Sequence, residues 1–328
     1  MSSRSKSTAL ASHNRFMAVA LTALILIACS GDSSRCADRA TKEDDQPRRV
    51  SDICRTRVVG WYWWGMKDVF SISDVRFEDL THIVYNPEKE LLVTPGGHLK
   101  LTGAIETHLR ELTSRAHAEG VKVLMMMSEP GAAFNRMMAN PRARATYISE
   151  VVDYLVKHDL DGVEYDWEGN SHKDPYDWNG AEGAIDRENY TQIVKETRAA
   201  LKPHKLLLSI CGAAWPPHFV TPEAFEYLDF ISVMSYRDFD HAVKGLKVWT
   251  AVGAPKSLLN MGMAVNFNEH GMDREQAARE ARYVVRNKFG GVLLFQLNYD
   301  AKEDASMLKA VGDELRALNQ TTVRNPKS

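Results

Sequence analysis

From Arg57 onward, short apolar runs alternate with stretches whose hydrophobic positions recur at helical spacing. This alternation is typical of repeated βα units that build a parallel sheet. The apolar runs predict eight strands: Val58–Trp63, Leu80–Tyr85, Val121–Met127, Leu160–Trp167, Lys205–Cys211, Phe230–Ser235, Leu258–Met263 and Val292–Leu297. Eight such units in about 270 residues favour an α/β fold, a closed (β/α)8 TIM barrel in a single domain.

Two of the intervening helices have clear boundary signals. One is predicted over Thr102–Glu119 and stops at Gly120, a common helix C-terminal residue. Another opens at a predicted capping box of Asp273 and Gln276 and ends before Gly290. Because barrel enzymes place their chemistry at the C-terminal ends of the strands, side chains at those ends are the candidates for function.

The N-terminus has the pattern of a targeting segment. Three basic residues precede an apolar run over residues 16–28, which is too short to span a bilayer as a stable helix; they are Arg4, Lys6 and Arg15. The run ends in Leu26-Ile27-Ala28-Cys29, which resembles a bacterial lipobox, where the Cys becomes the lipidated first residue of the mature protein. An ordinary cleaved signal peptide, with Cys29 incidental, is the alternative.

We therefore expect three parts: a lipoprotein signal peptide (1–28), a lipidated Cys29 with a flexible polar tether (29–55), and the barrel (56–328). Ser30 follows the Cys, and in such signals this indicates an outer-membrane anchor rather than retention at the inner membrane. The expected location is the bacterial cell envelope, by lipid anchor, or secretion. The protein would then bind the membrane through its lipid anchor alone.

Composition and cysteine usage add little beyond exclusions. A formal net charge of -2 argues against a nucleic-acid partner bound through overall basicity. Cys36 and Cys54 are able to pair in an oxidising compartment, whereas Cys211 lies in an apolar strand and is interpreted as a small core residue. Structural-zinc spacing and His-Glu-x-x-His are absent from the sequence, so neither a metal nor a cofactor is expected.

The fourth predicted strand carries an unusual density of acids. Side chains alternate across a strand, so Glu164, Asp166 and Glu168 share one face and step about 6.6 Å per pair. Three neighbouring anions repel one another, and at least one carboxyl should hold a proton near neutral pH. The last of them, at the C-terminal end of the strand, is then suited to act as a general acid.

This stretch resembles the Asp-x-x-Asp-x-Asp-x-Glu signature of family 18 glycoside hydrolases, the chitinase family, with Asp161, Glu164, Asp166 and Glu168 at its four positions. Glu164 stands where the family usually has Asp. The alternative interpretation is a strand with a solvated acidic face. The resemblance implies that Glu168 protonates the glycosidic oxygen while the acetamido carbonyl of the substrate attacks the anomeric carbon, so no protein nucleophile is needed. Asp166 then orients the acetamido group, and Glu164 holds Asp166 and shares its proton.

Two other predicted strands support the resemblance, with departures. Tyr236 falls where the family has a Tyr that donates a hydrogen bond to the acetamido carbonyl, but Arg237 replaces the following Asp. Met234 is interpreted first as a residue that packs in the barrel, although the family places a Met under the sugar at this position. Phe295 stands where the family has a Trp that forms the floor beneath the reacting sugar. The alternative interpretation of Tyr236 is a half-buried strand-end tyrosine with one apolar and one wet side.

Aromatic residues at other strand ends suit a glycan cleft, because sugar C–H faces pack on aromatic planes; packing between the barrel and its helices is the alternative for each. The predicted catalytic residues are Glu168, Asp166, Glu164 and Tyr236, and the predicted substrate contacts are Trp61, Trp63, Asp161, Trp178, Trp215, Met234, Arg237, Phe295 and Gln296. Only Ala264–Met272 separates the seventh strand from the next helix, which leaves no room for the small α+β insertion domain of larger family members.

The resemblance implies a retaining hydrolase of β-1,4 linkages in N-acetylglucosamine polymers, with such a glycan as its partner. Three alternatives stay open: an endo-β-N-acetylglucosaminidase acting on N-glycan cores, a sugar-binding protein that has lost catalysis, and an unrelated barrel hydrolase that uses two carboxylates directly. Glu168 favours an enzyme, whereas Arg237 and Phe295 alter the pocket around the reaction centre.

Overall fold

The computed structural model describes residues 56–128, 132–167, 177–215, 217–265, 272–300 and 306–324. Its strands are β1 (Arg57–Trp63), β2 (His82–Asn86), β3 (Leu91–Val93), β4 (Leu99–Leu101), β5 (Lys122–Ser128), β6 (Gly162–Asp166), β7 (Leu207–Ala213), β8 (Phe230–Met234), β9 (Leu259–Ala264) and β10 (Gly291–Phe295). Eight of them close into a parallel barrel in the order β1-β10-β9-β8-β7-β6-β5-β2. The predicted (β/α)8 barrel and all eight predicted strands are therefore confirmed.

Helices cover the outside of the barrel. They are α1 (Glu106–Ala118), α2 (Ala132–Ala139), α3 (Pro141–Lys157), α4 (Ala181–Leu201), α5 (Phe239–Ala251), α6 (Arg274–Arg286) and α7 (Met307–Arg324). The antiparallel pair β3 and β4, which was not predicted, lies between β2 and α1. None of the helices in this described part of the chain combines the length and the apolar character needed to cross a membrane.

Helix boundaries follow from local hydrogen bonding. The Asn140 side chain accepts from the backbone N–H groups of Arg142 and Ala143, at 3.0 and 3.3 Å, and so caps α3. At α6, Asp273 Oδ1 accepts from Gln276 N at 2.8 Å, so the predicted cap is present. The reciprocal half of the capping box is replaced, because the Gln276 amide donates to the Arg237 carbonyl and to Glu280 instead.

The predicted start of the first helix at Thr102 was wrong. Residues 102–105 form a turn in which Gly103 has a φ of 74°, and α1 begins only at Glu106. The Thr102 hydroxyl donates to Glu90 instead of continuing a helix. A positive φ is incompatible with a right-handed helix, so the turn sets the boundary.

Alternation along each barrel strand separates two apolar layers. Outward side chains such as Val163, Tyr165 and Ile210 join the large core between barrel and helices. Inward side chains form a smaller cluster that fills the barrel interior: Val59, Trp61, Val84, Leu124, Met126, Cys211, Phe230 and Leu293. Because the interior is filled, ligands can approach only at the ends of the barrel.

The connection between β9 and α6 consists of residues 265–273, which is too short to hold an extra domain. The barrel therefore has no α+β insertion at that point, as predicted. The ends of β8 and β10, on either side of β9, are not covered by such a domain.

Gly162 permits a close approach between β6 and β7. A Cβ at this position would lie 2.3 Å from the carbonyl oxygen of Leu207 and 2.8 Å from its carbonyl carbon. Both atoms belong to the backbone of the neighbouring strand and have little freedom to move. Glycine at the start of the acidic strand thus lets β6 pair tightly in the barrel.

We expect Gly162→Ala to lower the free energy of unfolding by about 1–3 kcal/mol, because the new methyl group overpacks two paired strands. Urea unfolding followed by circular dichroism measures this change. Gly96→Ala is the matched control: a Cβ at Gly96 has no neighbour closer than 3.6 Å, so its effect should stay within about 1 kcal/mol. Equal effects of the two substitutions would contradict this explanation.

Candidate active site

The acidic strand β6 points its carboxylates into the barrel. Glu164 and Asp166 share the inward face, while Val163, Tyr165 and Trp167 pack in the outer core, as the alternation predicts. Glu164 is fully buried and Asp166, at the C-terminal end of the strand, is half-buried. Glu168 lies outside the described residues. The inward pair is thus stacked along the barrel axis, with Asp166 nearer the C-terminal mouth.

Three side chains donate hydrogen bonds to the Glu164 carboxylate. The Trp61 indole N–H donates to Oε1 at 2.9 Å. The Ser209 and Ser232 hydroxyls lie 3.1 and 2.8 Å from Oε2. These donors come from β1, β7 and β8, and of these strands only β7 neighbours β6. The carboxylate therefore lies near the barrel axis, where the longer side chain of Glu reaches strands on the opposite side.

Burial dominates the electrostatics of Glu164. Removal from water raises the pKa of its carboxyl to about 7, the hydrogen bonds from Ser232, Trp61 and Ser209 oppose that shift, and the Asp166 carboxylate adds to it. Near neutral pH, Glu164 is therefore divided between its protonated and ionised forms. A proton that is readily gained and lost beside Asp166 is the property expected of a carboxyl pair that shares a proton.

Asp166 has a hydrogen-bond donor that was not predicted. The Cys211 thiol lies 2.9 Å from Asp166 Oδ1. Cys211 was interpreted as a small core residue, and it is indeed fully buried in the barrel interior. The available signal was the alternation of the fifth predicted strand, which puts Cys211 on the same face as Ser209.

Aromatic rings lie at the C-terminal ends of β8 and β10. Tyr236 stacks on Phe295 with ring centroids 4.7 Å apart and an interplanar angle of 20°. The Trp61 and Phe295 rings form a T-shaped pair, with their centroids 5.2 Å apart. Tyr236, Phe295 and Met234 are all half-buried. All three of these predicted residues pack against the inward apolar cluster that contains Trp61 and Cys211, the donors to Glu164 and Asp166.

One predicted substrate contact lies at the opposite end of the barrel. Asp161 precedes β6 at the N-terminal end of the barrel, about 16 Å along the strand from Asp166. Its carboxylate accepts from Val123 N and lies beside His117 Nε2, both at 2.8 Å. The prediction of a substrate contact at Asp161 was therefore wrong, because this motif position joins β5, β6 and α1 on the opposite end from the mouth.

Gln296 is buried, with 1% of its surface exposed, and its amide lies 3.2 Å from Met66 Sδ. Trp61 is also buried, with 3% exposed, and its indole N–H is occupied by Glu164. Both residues support the site from within the packed protein. A direct contact of either with a sugar stays a prediction.

The remaining predicted contacts differ in exposure. Trp215 follows the end of β7 and is 63% exposed. Trp178 is half-buried and packs edge-on against Trp167 with ring centroids 5.9 Å apart. Trp63, at the end of β1, is half-buried, and Arg237 is exposed. Of these four, Trp215 offers the largest free aromatic surface near a strand end.

Metal-ligating side chains do not gather in the part of the chain that the structure describes. There, no three His, Cys, Asp or Glu side chains come close enough together to bind a metal ion. The polar groups that the described residues bring to the Glu164–Asp166 pair are hydroxyls, an indole N–H and a thiol.

Sequence comparison gives a family match over most of the barrel. The protein-family model described as glycosyl hydrolases family 18 matches residues 57–271. Probable chitinase 10 of Drosophila melanogaster is 22% identical over 275 residues, which cover 69% of this chain and 12% of that protein. An endochitinase of Manduca sexta is 27% identical over 184 residues, covering 51% of this chain and 31% of the relative. The chain thus spans less than a third of the length of these curated relatives.

Solved structures share the architecture. The Group IV chitinase of Ostrinia furnacalis in complex with allosamidin has a TM-score of 0.70 and 15% identity, covering 80% of this chain and 99% of that one. A family 18 chitinase from the chitin utilization locus of Flavobacterium johnsoniae has a TM-score of 0.67 and 18% identity, covering 80% and 95%. At this level of identity the similarity shows a common fold.

The raised pKa of Glu164 has a consequence for stability. Between about pH 4.5 and 7 the folded protein keeps a proton that the unfolded chain releases, so Glu164 makes the free energy of unfolding fall as pH rises through that window. Glu164→Gln removes this dependence. We expect the variant to gain roughly 2–4 kcal/mol relative to the wild type between pH 5 and pH 8.

Urea unfolding of both proteins at the two pH values measures the gain, and an unchanged difference would contradict it. Glu280 is the internal comparison, because burial raises the pKa of its carboxyl to about 8 far from the carboxylate pair. Glu280→Gln should remove a separate part of the pH dependence, additive with that of Glu164.

Proposed function

Since this chain belongs to the glycosyl hydrolases family 18, we propose that it is a retaining glycosidase that cleaves β-1,4 linkages in N-acetylglucosamine polymers. The match over residues 57–271 confirms the family resemblance of the acidic strand. The observation that carries the proposal is the inward pair of Glu164 and Asp166, stacked toward the mouth of the barrel. A sugar that approaches the mouth reaches Asp166 first, and the Glu164 carboxyl, which can hold a proton, lies behind Asp166.

We propose substrate-assisted catalysis as the mechanism. Glu168 protonates the leaving oxygen and later deprotonates water. It follows Asp166 by two residues, and the alternation in the sequence predicts that the two side chains share a face. The acetamido carbonyl of the substrate attacks the anomeric carbon, so the bond to the leaving sugar breaks as an intramolecular ring closes. Asp166 orients the acetamido N–H, and Tyr236 donates a hydrogen bond to its carbonyl.

Glu164 has a supporting role in this scheme. A second anion directly behind Asp166 would repel it, and a proton on Glu164 relieves that repulsion. Because burial raises the pKa of Glu164 to about 7, the proton is available across the mildly acidic and neutral range. The Glu164 side chain is one methylene longer than that of Asp, and its carboxylate accepts three hydrogen bonds. This motif position therefore still carries a hydrogen-bonded carboxyl group.

We expect the substrate cleft at the C-terminal end of the barrel to be open. The connection over residues 265–273 is too short for an added domain beside β9, and Trp215 offers an exposed ring at the end of β7. An open cleft accommodates long N-acetylglucosamine chains, and it also suits the chitobiose core of N-glycans. The second candidate is therefore an endo-β-N-acetylglucosaminidase, and a sugar-binding protein of the same fold is the non-catalytic alternative.

Glu168→Gln tests the enzyme proposal. We expect the substitution to lower kcat on a chromogenic chitobioside by at least about 100-fold, because the general acid is lost. Glu188→Gln, an exposed acid on α4, is the matched control and should retain full turnover. Binding of the chitobioside without turnover by the wild type would contradict the enzyme and favour the sugar-binding protein.

The substrate's acetamido group and the product separate the remaining possibilities. A chitobioside should be cleaved and the matching cellobioside should not, and NMR of the first product should show the β-anomer. Equal cleavage of both substrates would indicate direct catalysis by two carboxylates. Release of N-glycans in preference to cleavage of chitin oligomers would favour the second candidate.

We also propose that the protein is anchored to the bacterial cell envelope by lipid on Cys29, which lies outside the described residues. The support is the basic segment, the apolar run and the Leu26-Ile27-Ala28-Cys29 sequence. Two acyl signals on a mature N-terminal Cys give stable membrane attachment. The polar tether of residues 30–55 would then let the barrel reach polymeric substrate.

Cys29→Ser tests the anchor. The wild type expressed in a diderm bacterium should incorporate labelled palmitate and sediment with the outer membrane, whereas the variant should do neither. Ser30→Ala, which leaves the Cys in place, is the control and should still be labelled. Absence of label from the wild type would contradict the anchor and indicate an ordinary cleaved signal peptide.

A further inference from the structure

The N-terminal end of the barrel carries basic side chains on its inner face. Arg57, His82 and Lys122 are the first residues of β1, β2 and β5, which are neighbouring strands. The residue two positions further along each of these strands belongs to the inward apolar cluster, so alternation turns all three basic side chains inward. The Arg57 guanidinium carbon and the His82 ring centroid lie 5.4 and 5.5 Å from the ring centroid of the inward Phe230.

The acids at this end of the barrel face the other way. Asp161 and Asp229 each precede an inward-facing position, and alternation turns both toward the helices. Asp161 contacts His117 on α1, and Asp229 accepts from Arg198 on α4. Among the residues that the structure describes, no carboxylate forms an ion pair with the three inward basic side chains.

The electrostatics reflect this separation of charge. Burial lowers the pKa of Arg57 to about 10, and the attraction of the Asp229 carboxylate offsets only part of that shift. Burial, and then the positive charges of Lys122 and Arg57, lower the pKa of His82 to about 3. Charged groups inside proteins are ordinarily paired with an opposite charge. The inner face therefore has positive charge that the described carboxylates do not balance.

A buried hydrogen-bond donor lies beside this charge. Asn260 on β9 is fully buried, and its Oδ1 accepts from Arg57 Nε at 3.1 Å. The two side chains meet across Gly291 of β10, where a Cβ would lie 2.8 Å from that Oδ1. Asn260 Nδ2, on the same amide, has no hydrogen-bond partner in the described part of the chain. A buried donor without an acceptor costs free energy, so Nδ2 indicates a place for an acceptor.

The Arg57 guanidinium also has donors to offer. Its Nη2 donates to the Ser257 carbonyl at 2.5 Å. Beyond this bond and the one from Nε, the planar fork carries further N–H groups in the geometry that matches the oxygens of a phosphate. Phosphate has more than one negative charge near neutral pH and several strong acceptor oxygens. It therefore fits a site that combines several cations with a buried amide donor.

We propose that the N-terminal end of the barrel binds a phosphate group through Arg57, His82, Lys122 and the Asn260 amide. One phosphate oxygen accepts from Asn260 Nδ2, and the negative charge offsets the repulsion among the three basic side chains. The phosphate is that of a free ion or of a lipid headgroup, since the two share this chemistry. The site lies at the opposite end of the barrel from the carboxylate pair, so it is independent of the proposed glycosidase activity.

Thermal unfolding tests the site. We expect about 10 mM sodium phosphate to raise the Tm by at least about 2 °C relative to sodium chloride of equal ionic strength, because the ion binds only the folded state. Lys122→Gln should lose most of this gain. Lys247→Gln, which changes an exposed lysine on α5, is the control and should keep it. Equal gains in the wild type and Lys122→Gln would overturn the proposal.

Asn260→Asp places a carboxylate beside Arg57 in the position of the phosphate. The variant should gain nothing from phosphate, and because each protein is compared with itself in chloride, a change in its baseline Tm does not affect the result. The same variant identifies the side-chain amide signal of Asn260 in the two-dimensional NMR spectrum of the wild type. That signal should move as phosphate is added and stay in place with chloride. A signal that phosphate does not move would overturn the proposal.

Vesicles distinguish the two sources of the phosphate group. The proteins in this experiment carry Cys29→Ser, so that no lipid of their own attaches them to a membrane. Binding to phosphatidylglycerol vesicles in preference to phosphatidylcholine vesicles, weakened by Lys122→Gln, would support a headgroup. The phosphate effects on Tm and on Asn260 without vesicle binding would support the free ion. Absence of all these effects would refute the site and leave the proposed glycosidase activity untouched.

Discussion

The structure depends on the burial of one carboxyl group, Glu164, at the axis of the barrel. Transfer of an ionised carboxylate out of water is costly unless it is hydrogen-bonded. Trp61, Ser209 and Ser232 supply the hydrogen bonds from three strands, and a pKa near 7 lets the group take up a proton as well. The same interactions that make this burial tolerable connect opposite sides of the barrel and hold a proton behind Asp166.

The departures from the family pattern are linked to one another by this arrangement. Glu in place of Asp extends the carboxylate toward β1 and β8, where Trp61 and Ser232 meet it. Phe295, in place of the expected Trp, packs between Trp61 and Tyr236. The interior therefore accommodates Glu164 and Phe295 together, and both residues contact Trp61.

The backbone pairing of β6 and β7 converts a pattern in the sequence into chemistry. Parallel pairing aligns Glu164 with Ser209 and brings Cys211 opposite Asp166. Tight pairing is possible because Gly162 has no side chain to collide with Leu207. A shift by one residue would turn the donors to the outer core, so register is as important for the site as the identity of its residues.

The sequence by itself determined the eight strands, the inward face of Glu164 and Asp166, and the family, because strand period and motif spacing are local properties of the chain. It did not reveal the hairpin of β3 and β4, the late start of α1 or the position of Asp161 away from the mouth. Only the tertiary structure decided which distant residues serve each carboxylate. Alternation fixes the face of a strand, whereas barrel closure and register fix what that face meets.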